Sequence, residues 1–111
     1  QVVLNLLNNA VQAIEKEGSI TVMTRDDAMG WVDIAIADTG CGIAPHHLPH
    51  LFDPFFSTKG PERGTGLGLA VCQKIVTALG GLILVDSKEG CGSQFTVRLP
   101  RRPIASRKTF E

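Results

Sequence analysis

The sequence predicts an α+β domain in which helices cover one face of a mixed, largely antiparallel sheet. Apolar residues recur with a helical period in two segments and alternate with a period of two in four others. These segments follow one another as helix, two strands, glycine-rich loop, helix and two strands, an order typical of a layered α+β architecture. With 111 residues and no internal repeat, the chain is long enough for one hydrophobic core.

The composition is that of an ordinary globular domain. Hydrophobic residues make up 43% of the chain and charged residues 20%, which excludes a disordered chain. Eleven basic and eleven acidic residues give a formal net charge of zero, so no global field attracts nucleic acid or acidic membranes. No apolar run reaches the ~20 residues of a membrane span.

The cysteines are an odd number and lie far apart, as Cys41, Cys72 and Cys91. Neither a CxxC pair nor a Cys/His cluster accompanies them, so the spacing favours neither a disulfide framework nor a zinc site. We therefore expect buried or half-buried free thiols in a reducing compartment.

The first half of the fold is predicted as a helix followed by a hairpin. Apolar residues recur at i, i+4, i+7 and i+11 over residues 1–17, and Gly18 ends that pattern. Residues 19–24 and 31–38 alternate apolar and polar side chains, which predicts two strands. The residues between them, 25–30, are predicted to form the turn of the hairpin.

A long loop rich in glycine and proline follows over residues 39–66, in which residues 46–51 are a candidate short helix. A loop of this length is too long for an idle connection in so small a domain, which points to function. A second amphipathic helix is predicted over residues 67–79, and Gly80 and Gly81 end it.

A second hairpin and a tail complete the chain. Residues 82–86 and 94–99 are predicted strands, joined by a turn at residues 88–92. The segment from Pro100 onward is basic and lacks any periodicity, so we expect a mobile tail.

Three amides share one stripe of the otherwise apolar first helix, since Asn5, Asn9 and Gln12 fall at i, i+4 and i+7. A solvated face explains this stripe without any function. Carboxamide oxygens also complete the coordination of hard cations such as Mg²⁺, which proteins usually bind together with substrate phosphates.

A second candidate for chemistry is the bend Asp38-Thr39-Gly40-Cys41-Gly42, which comes directly after a predicted strand. The two glycines let the backbone approach a flat ligand closely, and the Asp38 carboxylate is an acceptor for an exocyclic amine such as that of adenine. A plain turn is the alternative, because Asp-x-Gly is common in turns.

The third candidate is the run Gly64-Thr65-Gly66-Leu67-Gly68-Leu69, which leads straight into the second helix. Alternating glycines at a helix start expose N–H groups at the positive end of the helix dipole, where a phosphate binds. Neither the dinucleotide fingerprint nor the P-loop pattern is present. Lys59 and Arg63 precede the run and could meet the outer phosphates, or could be two solvated charges.

Other familiar sites are not indicated. The three histidines, His46, His47 and His50, lie close together, but Pro49 between them and the absence of an HExxH pattern argue against a metal site. No GxSxG nucleophile motif, Cys–His dyad or aromatic nucleic-acid platform can be recognised.

Five segments stand in a specific order: QVVLNLLNNAVQAI, ADTGCGIAP, LFDPFFSTK, GTGLGLAVCQKIV and GGLILVDSKEGCGSQFTVRLP. In that order they resemble the N, G1, F and G2 boxes and the closing hairpin of bacterial sensor histidine kinases. The segments FDPFFSTK and NAVQA look most like those of nitrogen-regulation and dicarboxylate-sensor kinases. The resemblance covers roughly residues 1–100.

The resemblance implies the Bergerat, or GHKL, ATP-binding fold. This is a two-layer α/β sandwich, with a mixed, largely antiparallel sheet under helices and a flexible lid over ATP. Residues 1–100 would form the ATP-binding domain, without its first strand and without the dimerisation and phosphoacceptor domain that should precede Gln1. Residues 101–111 would be a mobile basic tail.

The resemblance also assigns roles by position. Asn9 would bind Mg²⁺ and phosphate oxygens as a catalytic residue, and Asn5 would assist there. Asp38 would accept a hydrogen bond from the adenine amino group. Phe55 and Phe56 would anchor the lid, and Gln12 stands where many kinases have Lys. The other implied nucleotide contacts are Gly40, Gly42 and Ile43 in the pocket, Lys59 and Arg63 near the γ-phosphate, and Gly64, Thr65, Gly66, Leu67 and Gly68 at the phosphates.

The implied mechanism is phosphoryl transfer from ATP and Mg²⁺ to an external histidine. Hydrolysing relatives have a Glu general base where this chain has Asn5, and an amide cannot take a proton from water. None of the three histidines has the setting of a phosphoacceptor. The chain alone is therefore expected to bind ATP without autophosphorylating.

Two rival functions remain open at this stage. One is a nucleotide-sensing module that has lost transfer, which the intact Asn9, Asp38 and glycine boxes disfavour. The other is an ATPase that works by hydrolysis, which Asn5 disfavours. The expected partners of the kinase are the dimerisation domain of the same protein and a response regulator receiver domain, with no nucleic acid and no direct membrane contact. The expected location of this domain is the cytoplasm, and the longer parent protein could be anchored in a membrane.

Overall fold

Helices on one face of an antiparallel sheet form the part of the chain that the computed structural model describes, residues 1–27, 29–56 and 68–101. The predicted α+β class is confirmed. In chain order the elements are α1 (Val2–Ala13), β1 (Ile20–Asp26), β2 (Trp31–Asp38), a 3₁₀ helix (Pro45–His50), α2 (Gly68–Ala78), β3 (Leu82–Lys88) and β4 (Gly92–Pro100).

The sheet has the strand order β1-β2-β4-β3, and each neighbouring pair is antiparallel. The predicted largely antiparallel arrangement is confirmed. The described strands contain no parallel pair. β2 and β3, which α2 connects, run in the same direction, but β4 lies between them. In the central register Ile36 lies opposite Phe95, and Asp38 lies opposite Ser93.

The hydrophobic core lies between this sheet and the two helices. Side chains alternate along each strand, so Ile36, Phe95 and Val97 share the face that α1 and α2 cover. On the uncovered face, Arg98 Nε donates to Asp33 Oδ1 across 2.9 Å, and this hydrogen bond raises the pKa of Arg98. The buried cluster comprises Leu6, Ala10, Ile36, Leu51, Cys72, Val76, Phe95 and Val97.

The first helix is shorter than the sequence predicts, because it ends at Ala13 and not at residue 17. Ile14 already has extended backbone angles, and the Ala13 carbonyl accepts a hydrogen bond from the Cys41 N–H at 3.1 Å. The bend after β2 therefore packs against the end of α1 and hydrogen-bonds to its last carbonyl. The local apolar period could not reveal this, because the contact joins residues far apart in the chain.

Three of the four strands, β1, β3 and β4, are longer than predicted, whereas β2 has its predicted bounds. Pairing in the first hairpin continues to Asp26 opposite Val32, and pairing in the second continues to Lys88 opposite Gly92. Polar residues near a turn carry little strand signal, but their backbones complete the ladder.

Three further predictions can be compared with the structure. The candidate short helix is the 3₁₀ segment Pro45–His50, in which Pro49 lacks the N–H that a longer helix would need. Of the thiols, Cys72 is buried, but Cys41 and Cys91 are exposed because they lie in loops at the sheet edge, so the prediction of burial was wrong for these two. No helix in the described ranges is long and apolar enough to cross a bilayer.

The start of the predicted tail is attached to the first hairpin. The Arg101 N–H donates to the Gly30 carbonyl at 2.7 Å, and the guanidinium contacts Asp26 and the Asp27 carbonyl. β4 runs on to Pro100, opposite Trp31, and delivers Arg101 to this turn. Residues 102–111 lie outside the described residues.

Candidate functional site

A buried carboxylate stands at the end of the central strand β2. Asp38 is only 7% exposed, although ionisable side chains are rarely buried without a partner. Its Oδ1 accepts the N–H of Gly40 at 2.8 Å, which fixes the carboxylate relative to the bend that follows. Among the residues that the structure describes, Gly40 is the only donor to this carboxylate.

Glycines bring three backbone segments together around Asp38. A Cβ added to Gly40 would lie 2.4 Å from the Ala13 carbonyl oxygen, at the end of α1. A Cβ on Gly42 would lie 2.2 Å from the Lys88 oxygen, and φ there is +72°. A Cβ on Gly92 would lie 2.1 Å from the oxygen of Asp38 itself. These approaches exclude side chains, so the glycines of the predicted bend shape the site by packing.

Hydrogen bonds join the bend to the β3–β4 hairpin. The Gly90 N–H donates to the Cys41 carbonyl at 2.7 Å, and the Ile43 N–H donates to Ser87 Oγ at 2.8 Å. Ser87 Oγ also lies 2.8 Å from Ser93 Oγ. Sequence reasoning missed both serines, and the signal available was only the strand alternation, which places them on the same face as Phe95.

The amide stripe of α1 leads from this end of the site toward α2. Asn5, Asn9 and Gln12 are each half-buried, whereas Asn8 between them is exposed, so the stripe is not a fully solvated face. Asn9 and Gln12 both have interaction partners. From Asn5 to the Ala13 carbonyl, eight residues of helix span roughly 12 Å at 1.5 Å per residue. An extended ligand could therefore reach from the bend to Asn5.

Asn5 contacts the buried thiol of Cys72 on α2. Burial raises the pKa of this thiol, and the hydrogen bond from the Asn5 side chain partly opposes that rise. The thiol itself donates to the Val2 carbonyl at 3.8 Å.

Part of the predicted phosphate site can be placed. Gly68 is the first described residue of α2, it is exposed, and among the described residues no atom beyond its chain neighbours and its own helix backbone lies within 4 Å of the position a Cβ would take. Its N–H lies at the positive end of α2. The remaining predicted phosphate contacts lie outside the described residues: Lys59, Arg63, Gly64, Thr65, Gly66 and Leu67.

The two predicted lid anchors differ. Phe56 packs against the core and makes an edge contact with His47, with ring centroids 5.5 Å apart. Phe55 is 74% exposed and has a φ of 68°, and it is not among the residues that pack against the described core. His50 pairs with Asp53 at 3.0 Å, and the described residues contain no cluster of three or more metal-ligating side chains.

The sequence matches one protein family over residues 1–103, described as histidine kinase-, DNA gyrase B- and HSP90-like ATPase. Among curated proteins, the chain is 49% identical over 100 residues to the sensor histidine kinase ZraS of Salmonella typhi. It is 46% identical over 104 residues to the sensor histidine kinase RcsC of Escherichia coli strain K12. Each match covers 90% of this chain, but the chain spans only 21% of ZraS and 11% of RcsC.

Solved structures show the same fold. The catalytic domain of the histidine kinase ThkA superposes with a TM-score of 0.80 at 35% identity, covering 93% of this chain and 67% of that one. Full-length ShkA in complex with AMPPNP superposes with a TM-score of 0.81 at 31% identity, covering 95% of this chain and 22% of that one.

Proposed function

This chain belongs to the histidine kinase-, DNA gyrase B- and HSP90-like ATPase family, and we propose that it is the ATP-binding catalytic domain of a two-component sensor histidine kinase. The ATP-binding domain would comprise residues 1–100. The observation that carries the proposal is the buried Asp38 carboxylate, held by Gly40 where three backbone segments meet. A buried carboxylate has two acceptor oxygens, and a ligand that brings an N–H donor suits such a group.

At the adenine end, the Asp38 carboxylate would accept a hydrogen bond from the exocyclic amine of the base. Gly40 and Gly42 would shape the pocket, since without side chains they let the bend pack closely against the end of α1 and against Lys88. Ile43 would also border the base, because it is half-buried beside the core and its N–H donates to Ser87 Oγ. Its apolar side chain would contact the base.

At the phosphate end, Asn9 and Asn5 would supply amide oxygens to Mg²⁺, and the N-terminus of α2 at Gly68 would meet the phosphates. The donor set suits Mg²⁺, because the ion takes oxygen ligands and proteins usually bind it through a few side chains plus substrate phosphates. When bound, Mg²⁺ neutralises charge on the phosphate oxygens. Lys59, Arg63, Gly64, Thr65, Gly66 and Leu67 are proposed to contact the phosphates as well.

The proposed reaction is transfer of the γ-phosphoryl group and not hydrolysis. The side chain of Asn5 engages Cys72 and has no basic atom that could deprotonate a water molecule. ATP would therefore be held in position for an external nucleophile. That nucleophile is proposed to be a histidine on the dimerisation domain of the longer protein, from which a response regulator would then be phosphorylated.

A transfer assay tests this function. The chain is mixed with γ-labelled ATP, Mg²⁺ and a separately produced dimerisation domain carrying the acceptor histidine, and both labelled protein and free phosphate are measured. We expect label on the acceptor domain only, little free phosphate and no label on this chain. Rapid phosphate release without label on the acceptor would contradict the proposal, and an acceptor His→Ala variant is the control.

Asn9→Ala is expected to reduce the factor by which Mg²⁺ strengthens ATP binding by at least about tenfold. Even the loss of a residue that only hydrogen-bonds to a metal ligand typically lowers metal affinity or activity by about 10–100-fold. Calorimetric titration with ATP, with and without Mg²⁺, measures this effect. Asn8→Ala is the matched control, since Asn8 is the adjacent amide and is exposed. Equal responses to Mg²⁺ in both variants would remove Asn9 from the metal site.

A further inference from the structure

Ser87 makes three hydrogen-bond contacts at the junction of the bend and the hairpin. Its Oγ lies 2.8 Å from the Ile43 N–H nitrogen, 2.8 Å from Ser93 Oγ and 3.2 Å from the Gly92 carbonyl oxygen. Ile43 and Ser87 are 44 residues apart in the chain. This one hydroxyl therefore links the backbone after Gly42 to both strands of the hairpin.

We propose that Ser87 is a positioning residue that sets the geometry of the adenine end of the site. The inference rests on the proposed ATP-binding function. Ser87 does not need to touch the nucleotide, because it acts through two groups that border the site. One is the backbone at Ile43, and the other is the Ser93 hydroxyl, which lies opposite Asp38 in the β2–β4 register.

The effect on the backbone follows from the donor and acceptor roles. A backbone N–H can only donate, so Ser87 Oγ accepts from Ile43. Without this oxygen, the half-buried Ile43 N–H would lose its partner, and an unpaired buried donor is costly. The segment beyond Gly42 would then move to find another acceptor, and the Ile43 side chain would move with it.

The effect on Ser93 follows from counting protons. Ser87 has a single hydroxyl proton, which goes either to the Gly92 carbonyl or to Ser93 Oγ. In the first arrangement Ser93 donates to Ser87 and presents lone pairs beside Asp38. In the second arrangement Ser87 donates to Ser93 Oγ. The Ser93 O–H then no longer donates to Ser87 and can donate to a group beside Asp38. Ser87 thus lets the buried Ser93 hydroxyl serve either as a donor or as an acceptor beside the base.

Ser87→Ala tests the proposal. We expect ATP to bind about 5–10-fold more weakly, the size of the loss of one or two hydrogen bonds, while the factor by which Mg²⁺ strengthens binding stays that of the wild type. The Ile43 amide should also exchange with solvent faster. Ser87→Thr keeps the hydroxyl and is expected to restore affinity. The matched control is Thr96→Val, which removes a hydroxyl from the uncovered face of β4.

The outcomes separate the inference from the function on which it rests. A wild-type chain that does not bind ATP contradicts the proposed function, and this inference with it. If the wild type binds ATP and a folded Ser87→Ala variant binds it equally well, Ser87 has no positioning role. An equal loss of ATP affinity and of the Mg²⁺ factor also overturns the proposal, because it indicates general loosening. If Ser87→Ala does not fold, Ser87→Cys, with its weaker sulfur acceptor, is judged by the same criteria.

Discussion

Asp38→Asn is expected to weaken ATP binding by about 100-fold. The amide oxygen of the variant can still accept the Gly40 N–H, so the bend should keep its shape. The other atom of the side chain changes from an acceptor oxygen to an NH₂ donor, which would face the donor amine of adenine. Losing a hydrogen bond to a charged group costs about 1.5–3 kcal/mol, and an opposed pair of donors adds to that cost.

Calorimetric titration of the variant and the wild type measures the change. Asp86→Asn is the matched control, because it makes the same charge change at an exposed position on the uncovered face of β3, opposite Gln94. The control is expected to bind ATP as the wild type does. A folded Asp38→Asn variant with wild-type affinity would show that Asp38 does not read the base.

Gly92→Ala is expected to lower the free energy of unfolding by about 2–5 kcal/mol. Its φ of +119° is unfavourable for any residue with a Cβ, which costs about 1–2 kcal/mol. The new Cβ would also lie 2.1 Å from the Asp38 carbonyl oxygen, a backbone atom that cannot rotate away. Overpacking of this kind costs about 1–3 kcal/mol more.

Gly90→Ala separates the two contributions within the same hairpin. Gly90 also has a positive φ, of +83°, but its Cβ would meet no atom within 4 Å. We expect a loss of only about 1–2 kcal/mol from the backbone conformation. Urea unfolding of both variants gives the comparison. Equal losses would mean that the close approach of Gly92 to Asp38 is not maintained in solution.

The sequence predicted the elements wherever the signal is local. The strand at residues 31–38 was predicted with its observed bounds, because apolar and polar side chains alternate from Trp31 to Asp38. The end of the second helix was predicted within one residue, since Gly80 and Gly81 stop it where its apolar stripe ends. The resemblance to sensor histidine kinases is confirmed by the family match and by the relatives. The predicted Bergerat-type fold is confirmed by the solved catalytic domains.

The candidate site was predicted less completely. The sequence predicts Asp38, Gly40 and Gly42 as site residues, and the structure brings them together at one end of α1. The sequence also predicts Asn5 as a ligand, but its contact with Cys72 depends on the packing of α1 against α2. Most of the predicted phosphate contacts remain predictions, as do the roles of Asn5, Asn9 and Asp38 toward ATP and Mg²⁺.

By itself the sequence determined the order of helices and strands, the α+β class and the family, because periodicity and motif order are properties of neighbouring residues. Tertiary structure alone decided where α1 ends, why Gly92 has to be a glycine, and that Ser87 holds Ile43. Each of these depends on a contact between segments distant in the chain. No local pattern encodes such contacts, because they exist only when the core has packed the bend after β2 against α1 and the hairpin.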